Sequence, residues 1–172
     1  VNVGGRNKVN MKEFVQFMHA GEFIDAKSYL NSGNIAFKSD MAIDEINTKI
    51  REILDLNYSA AIGFIIKSRE EIGAILNANP YSAAEDDNSK RIVALLSRKI
   101  DAEELTPIQK DPKITEKYYL RGDALYIYYA EGAGESKFTN SYIEKKLKLS
   151  ASSRNWNTLE KALEGMEVEG KY

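Results

Sequence analysis

Three short stretches carry the residues best suited to hold a ligand. Gly4-Gly5-Arg6-Asn7-Lys8 places two glycines and two cations just before a helix start, and Ser32-Gly33-Asn34 lies in a hairpin turn. Glycine-rich bends leave backbone N–H groups outward, a helix N-terminus favours negative charge, and Arg6 or Lys8 supplies a cationic partner. Together they could bind a phosphate or a carboxylate. The third stretch is Ser153-Arg154-Asn155-Trp156-Asn157-Thr158, with the only tryptophan. Arg154 there could grip an anion bidentately. Each stretch also has a structural reading. The glycines permit tight turns and the asparagines cap helices. Asn157 with Glu160 has capping-box spacing, and Trp156 just before that cap can lay its ring over the preceding chain. Arg154 can bond carbonyls or the acidic run Glu85, Asp86 and Asp87. No Walker or Rossmann glycine string is present.

Composition removes several chemistries. The chain has no cysteine and one histidine, His19, so disulfides, thiolate metal sites, Cys nucleophiles and multi-His metal centres are excluded. No cofactor is expected. The formal net charge is -2, with 24 basic and 26 acidic residues, which gives no global pull toward nucleic acid. No apolar run approaches the ~20 residues of a membrane span, and no signal-peptide pattern opens the chain, so a cytoplasmic protein is expected. For an enzyme, the candidate acids Asp123, Glu131 and Glu135 lie near Gly132 and Gly134, a weak pattern that ranks below binding. Five of ten tyrosines (Tyr118, Tyr119, Tyr126, Tyr128, Tyr129) fall on one hairpin. A stacked aromatic sheet could hold single-stranded nucleic acid, but cross-strand packing explains the same residues. The oligomeric state is left open.

These residues need elements to position them. Met11, Phe14, Val15 and Met18 form one helical stripe, begun by Asn10 with Glu13 and stopped by Gly21 in a left-handed cap. Strands are expected at 26–30 and 35–38 around Asn31-Ser32-Gly33-Asn34. A helix carries Ile43, Ile46, Ile50, Ile53 and Leu54, and 61–66 reads as a buried strand. Ser68 and Glu71 cap a helix closed by Pro80, and 82–90 reads as a linker. Then come strand 92–96, a short helix opened by Asp101 and Glu104 and cut by Pro107, and strands 114–120 and 124–130. Two helices follow, one through Phe138 to Leu147 and one through Leu159 to Met166.

The order α-β-β-α-β, then β-α-β-β-α with a final helix, predicts an α+β fold of two ferredoxin-like halves. The boundaries are an N-terminal domain 1–81 and a C-terminal plait-like domain 82–172 whose last strand is weak or replaced. The first strand of the N-terminal half is expected mostly upstream of Val1. In such a plait the bend after strand one and the turn between strands two and three leave the same end of the sheet, which would bring Gly4–Lys8 beside Ser32–Asn34.

Three segments together, 2–11 (NVGGRNKVNM), 29–37 (YLNSGNIAF) and 153–163 (SRNWNTLEKAL), resemble the bacterial domain-of-unknown-function family 1697. Asn31 stands where that family often has Gln, and Ser153 where it often has Ala. The resemblance implies two plait-like halves and no defined activity. The functional expectation is a binding module for a small anionic ligand, bearing phosphate or carboxylate, at the glycine- and asparagine-rich corner between the halves, with Arg154, Asn155 and Trp156 contributing. Single-stranded nucleic-acid binding and an unspecified enzyme are the alternatives.

Overall fold

The computed structural model describes residues 9–29, 33–58 and 62–168. The chain divides into two compact units, Val1–Ile66 and Lys67–Tyr172.

In the first unit, helix α1 (Met11–Ala20) starts at Asn10, whose side chain accepts from the N–H groups of Lys12 and Glu13. Phe14 and Met18 on its apolar stripe are buried. The expected left-handed cap at Gly21 is not there. Gly21 has φ -86, and Glu22 takes the positive φ of 69 instead. Gly21 instead lies close to the next helix: a Cβ there would stand 2.9 Å from Ile53 Cδ1, and that side-chain end would have to move aside.

Strands β1 (Ile24–Tyr29) and β2 (Asn34–Lys38) form an antiparallel hairpin, with Tyr29 opposite Asn34. Helix α2 (Ile43–Asn57) buries Ile46, Ile50 and Leu54 but leaves Ile43 outside. These residues share a core with Phe14, Met18 and Phe23. Burying each large apolar side chain is worth about 1.5–3 kcal/mol. The expected strand at 61–66 does not form over the described part, 62–66. Ile62 is buried and Phe64 and Ile66 line the core, but no described strand offers them a ladder. Apolar character buried the segment, whereas strand character needs a hydrogen-bonded neighbour.

The second unit begins with α3 (Arg69–Asn77), whose capping box of Ser68 and Glu71 is complete. A 3-10 turn at Ala83–Glu85 follows, then β3 (Arg91–Leu96), α4 (Thr106–Gln109), β4 (Lys117–Arg121), β5 (Ala124–Tyr128), α5 (Asn140–Leu147), β6 (Ala151–Asn155) and α6 (Trp156–Val168). The sheet is fully antiparallel in the order β4-β5-β3-β6. Gly122, φ 62, turns β4 into β5.

Three expectations need correction. The last strand is neither weak nor replaced, because β6 pairs with the free edge of β3 from Ile92↔Asn155 to Leu96↔Ala151. Pro107 does not cut a helix; it stands in the first turn of α4, where its missing N–H costs nothing. The boundary falls at Ile66/Lys67 rather than 81/82, because α3 and Tyr81 belong with the second sheet. The Tyr126 hydroxyl donates to the Ile75 carbonyl at 2.8 Å, and Lys67 Nζ lies 2.5 Å from Asp123.

Register sorts that sheet into two faces. Ala94, Leu96, Leu125 and Ile127 point to α4 and α5, with Ile108, Phe138 and Ile143 completing a core. Arg91, Val93, Tyr126, Tyr128, Tyr119 and Arg154 share the opposite face.

Candidate functional site

That opposite face is covered. The Tyr81 ring lies against Tyr119, Tyr126, Tyr128 and Trp156, at centroid distances of 6.1, 6.1, 6.4 and 5.6 Å. Its hydroxyl stands 3.1 Å from the carbonyls of Ile92 and Ile127, so the ring is anchored into the sheet. Tyr126 is 1% exposed, and burial pushes its phenol up to about 12. Tyr129 is buried with its hydroxyl on the Phe138 carbonyl, and Tyr118 packs on Phe138 from the other side. The tyrosine-bearing sheet expected as a stacking platform is therefore a packed interior. Bases cannot stack where Tyr81 and Trp156 already lie.

The cover is fastened by polar groups. Glu85, 1% exposed, accepts from the Ser82 N–H and hydroxyl and from the Tyr119 hydroxyl, and Lys117 lies 3.3 Å away. Arg91 donates to the Glu85 carbonyl at 2.8 Å and to Asn88 Oδ1 at 2.6 Å, and pairs with Asp86 at 3.1 Å. Its guanidinium lies 5.0 Å over the Tyr81 ring and 5.9 Å from that of Trp156. The acidic run thus takes Arg91, where the sequence had suggested Arg154.

The Ser153–Thr158 stretch resolves into structure. Asn155 ends β6 and caps α6, since its Oδ1 accepts from the Asn157 N–H at 3.0 Å. The cap is Asn155 and not Asn157, so α6 begins two residues earlier than expected, and Trp156 is its first residue. Asn155 Nδ2 reaches the carbonyls of Asn88, Ser89 and Arg91 at 3.0, 3.1 and 3.4 Å. Trp156 is 4% exposed and donates its indole N–H to Glu160 Oε1 at 3.0 Å, which removes Glu160 from the expected capping box. Arg154 is half-buried, donates to the Ser153 carbonyl at 2.8 Å, and has its pKa lowered by burial.

Of the other expected ligand residues, Gly4, Gly5, Arg6, Asn7, Lys8 and Ser32 lie outside the described residues. Gly33 is buried with φ 77, as the hairpin turn requires, and Asn34 Nδ2 lies 3.4 Å from the Tyr29 carbonyl. The start of α1 is already served by Asn10 and by Glu13 in its first turn, and both reduce its call on an external anion. Among the enzyme candidates, Asp123 is held by Lys67.

What the sequence reading missed is a cleft of about 650 Å³ in the second unit. Arg91 and Trp156 form its floor, bridged by Asn88 and Glu160, whose side chains meet at 3.5 Å. Leu76, Asn77, Asn79, Asp86 and Asp87 also line it, and of these Asn77, Asn79 and Asp86 are solvent-exposed. Asn79 Oδ1 accepts from the Tyr81 N–H. Asp87 Oδ1 accepts from the Ser89 N–H at 3.0 Å and hydroxyl at 2.6 Å, and these bonds hold its carboxyl below the usual range. Among the described residues, the Asn77 amide, Asn79 Nδ2 and the second oxygens of Asp86 and Asp87 have no protein partner. The one local signal was the density of Asn and Asp from 77 to 88, which reads equally as a polar loop. Among the described residues no three His, Cys, Asp or Glu side chains are placed to hold a metal ion, and no helix is long and apolar enough to cross a membrane.

Fold and cleft define a mixed α/β protein of two units, with a polar pocket in the second. Residues 1–126 match the family described as "Protein of unknown function (DUF1697)", and the chain belongs to that family. No curated protein matches the sequence. Among solved structures the chain is similar to a conserved bacterial protein from Streptococcus pneumoniae. The two share 22% identity and a TM-score of 0.71, over 95% of this chain and 92% of that one, a likeness of fold.

Proposed function

We propose that this chain is a binding module, and that its site is the cleft between the 77–91 segment and the start of α6, taking a small polar ligand. One observation carries the reading. The buried Trp156 and Arg91 are linked through Glu160 and Asn88 by contacts of 3.0, 3.5 and 2.6 Å at the floor of an open cleft, whose rim carries the solvent-exposed side chains of Asn77, Asn79 and Asp86. A floor held in place before binding spares the ligand the cost of ordering it. The volume lies within the ~300–1,000 Å³ typical of small-molecule sites. A binder is favoured over an enzyme because Asp87, held low in pKa, is poorly matched to general acid–base work near neutrality. We also read the second unit as a ferredoxin-like plait, on its β-α-β-β-α-β order and β4-β5-β3-β6 sheet. The plait face that binds nucleic acid in other proteins is here occupied by Tyr81 and Trp156.

The test is an NMR titration of the labelled protein with three ligand classes: sugars, amines, and inorganic phosphate with citrate. The readouts are the side-chain amides of Asn77, Asn79 and Asn88 and the Trp156 indole. Saturable shifts confined to these groups are expected with one class. Shifts from phosphate or citrate at Arg6, Lys8 and Ser32, with the cleft silent, would move the site to the anion-binding corner at Gly4–Lys8 and Ser32–Asn34. If no probe moves the cleft resonances, the cleft is not a binding site.

A further inference from the structure

The unused groups of the cleft differ in kind, and their mixture selects a ligand class. Two are acceptors, the second oxygens of Asp86 and Asp87. One is a donor, Asn79 Nδ2, since Asn79 Oδ1 is engaged by Tyr81. The Asn77 amide is both. The remaining charge is already answered in part. Asp86 pairs with Arg91, Asp87 is bonded by Ser89, and both Glu160 oxygens are engaged, by the Trp156 indole and by Asn88.

An ammonium ion has three donors and no acceptor, so it would pair with the Asp86 and Asp87 oxygens and leave the Asn79 Nδ2 donor unused. It gains no aromatic face either, because the Trp156 ring is buried and the Arg91 guanidinium already lies near it. A phosphate or carboxylate would meet Asp86, Asp87 and Glu160 with only Arg91 in its favour, and Arg91 is taken. A hydroxyl group donates once and accepts twice, so neighbouring hydroxyls can satisfy the carboxylate oxygens and the amide N–H groups at the same time. Resting on the cleft as the site, we propose that its ligand is an uncharged polyhydroxylated molecule of mono- or disaccharide size, held between Asn77 and Asn79 on one wall and Asp86 and Asp87 on the other.

The experiment titrates glucose, maltose and myo-inositol against the full chain, with putrescine in parallel, and follows the Asn77 and Asn79 side-chain amides by NMR. The expected result is saturable binding of at least one hydroxylated probe in the millimolar range. Asn77→Ala should weaken it about fivefold to tenfold, the loss of one to two exposed hydrogen bonds. Because the Asn77 amide has no described protein partner, that variant should keep the wild-type backbone spectrum, and Asp87→Ala gives a second, independent loss. Saturation by putrescine with all three hydroxylated probes silent overturns the ligand class and leaves the cleft as the site. Shifts that persist unchanged in both variants overturn the assignment of these walls. Silence from every probe, phosphate and citrate included, overturns the cleft reading itself.

Discussion

Replacing Asn155 tests how the second unit is fastened. Its Oδ1 caps α6 through the Asn157 N–H, and its Nδ2 ties the carbonyls of Asn88, Ser89 and Arg91 to the end of β6. Truncating a helix cap to alanine costs about 1 kcal/mol. Removing a donor shared among three carbonyls adds about 1–2 kcal/mol, because one bond is lost outright and its acceptors are only partly reached by water. Asn155→Ala should therefore cost about 2–3 kcal/mol. With a urea slope of about 1–3 kcal/mol per molar, the midpoint should fall by about 0.7–3 M. Trp156, the only tryptophan, lies beside the altered residue and reports the transition by fluorescence. Asn155→Asp is the sharper variant. It keeps the capping oxygen but sets a carboxylate against three carbonyls, so at neutral pH it should be at least as unstable as the alanine variant. If Asn155→Asp matches wild type within about 0.5 kcal/mol, a scale typical of unimportant surface changes, the tie to the 88–91 segment contributes nothing and the account of this stretch fails.

Gly21→Ala should cost about 1 kcal/mol, since the new Cβ meets Ile53 Cδ1 at 2.9 Å while the backbone at φ -86 accepts alanine. In an Ile53→Val background, which removes that atom, the same change should be neutral or stabilising, and equal effects in both backgrounds would refute the clash. Tyr126→Phe leaves the Ile75 carbonyl without its buried donor and should cost about 1–2 kcal/mol, read as a lower thermal midpoint. For Glu85, burial pushes the carboxyl up, but bonds from Ser82, Tyr119 and Lys117 outweigh it and hold the folded value below the ordinary 4.5. A depressed folded value means the contribution is present above pH 4.5 and is lost as pH falls through the folded value. Glu85→Gln should therefore flatten the acid limb of stability measured by urea midpoints, and an unchanged limb would assign the acid sensitivity elsewhere.

Helical stripes and caps were legible because their information is local. The Asn10 cap, the Ser68–Glu71 box, and the buried Phe14, Met18, Ile46 and Ile50 all follow from spacing within one turn or two. Strand existence was not local. Ala151–Asn155 is small and polar, without a single β-branched residue, yet becomes a strand because β3 offers a free edge. Residues 62–66 are strand-like in composition, yet form none without a ladder. Alternation correctly placed Tyr126 and Tyr128 on one face. It could not show that Tyr81, from a segment read as the end of another domain, would cover them. The cleft was illegible for the same reason: Asn77 and Asn79, Asp86 to Arg91, and Trp156 with Glu160 come from three separate segments. Each residue alone had an adequate local explanation.

The same bonds that make the cover stable also fix where a ligand can reach. The aromatic face of the sheet is closed from Tyr119 to Trp156, so its centre offers nothing to solvent. At the margin, the cover consists of chain whose polar side chains must face outward: the end of α3, the acidic segment after the 3-10 turn, and the first turn of α6. Arg91 neutralises part of that acidity from below, through Asp86 and the Asn88 amide, and leaves the outer oxygens exposed. Sealing an aromatic interior with asparagine and aspartate therefore produces the polar cleft as a geometric consequence. What distinguishes it from an ordinary wet margin is the series of contacts beneath, from Arg91 through Asn88 and Glu160 to Trp156, which ties the floor to the buried aromatic face.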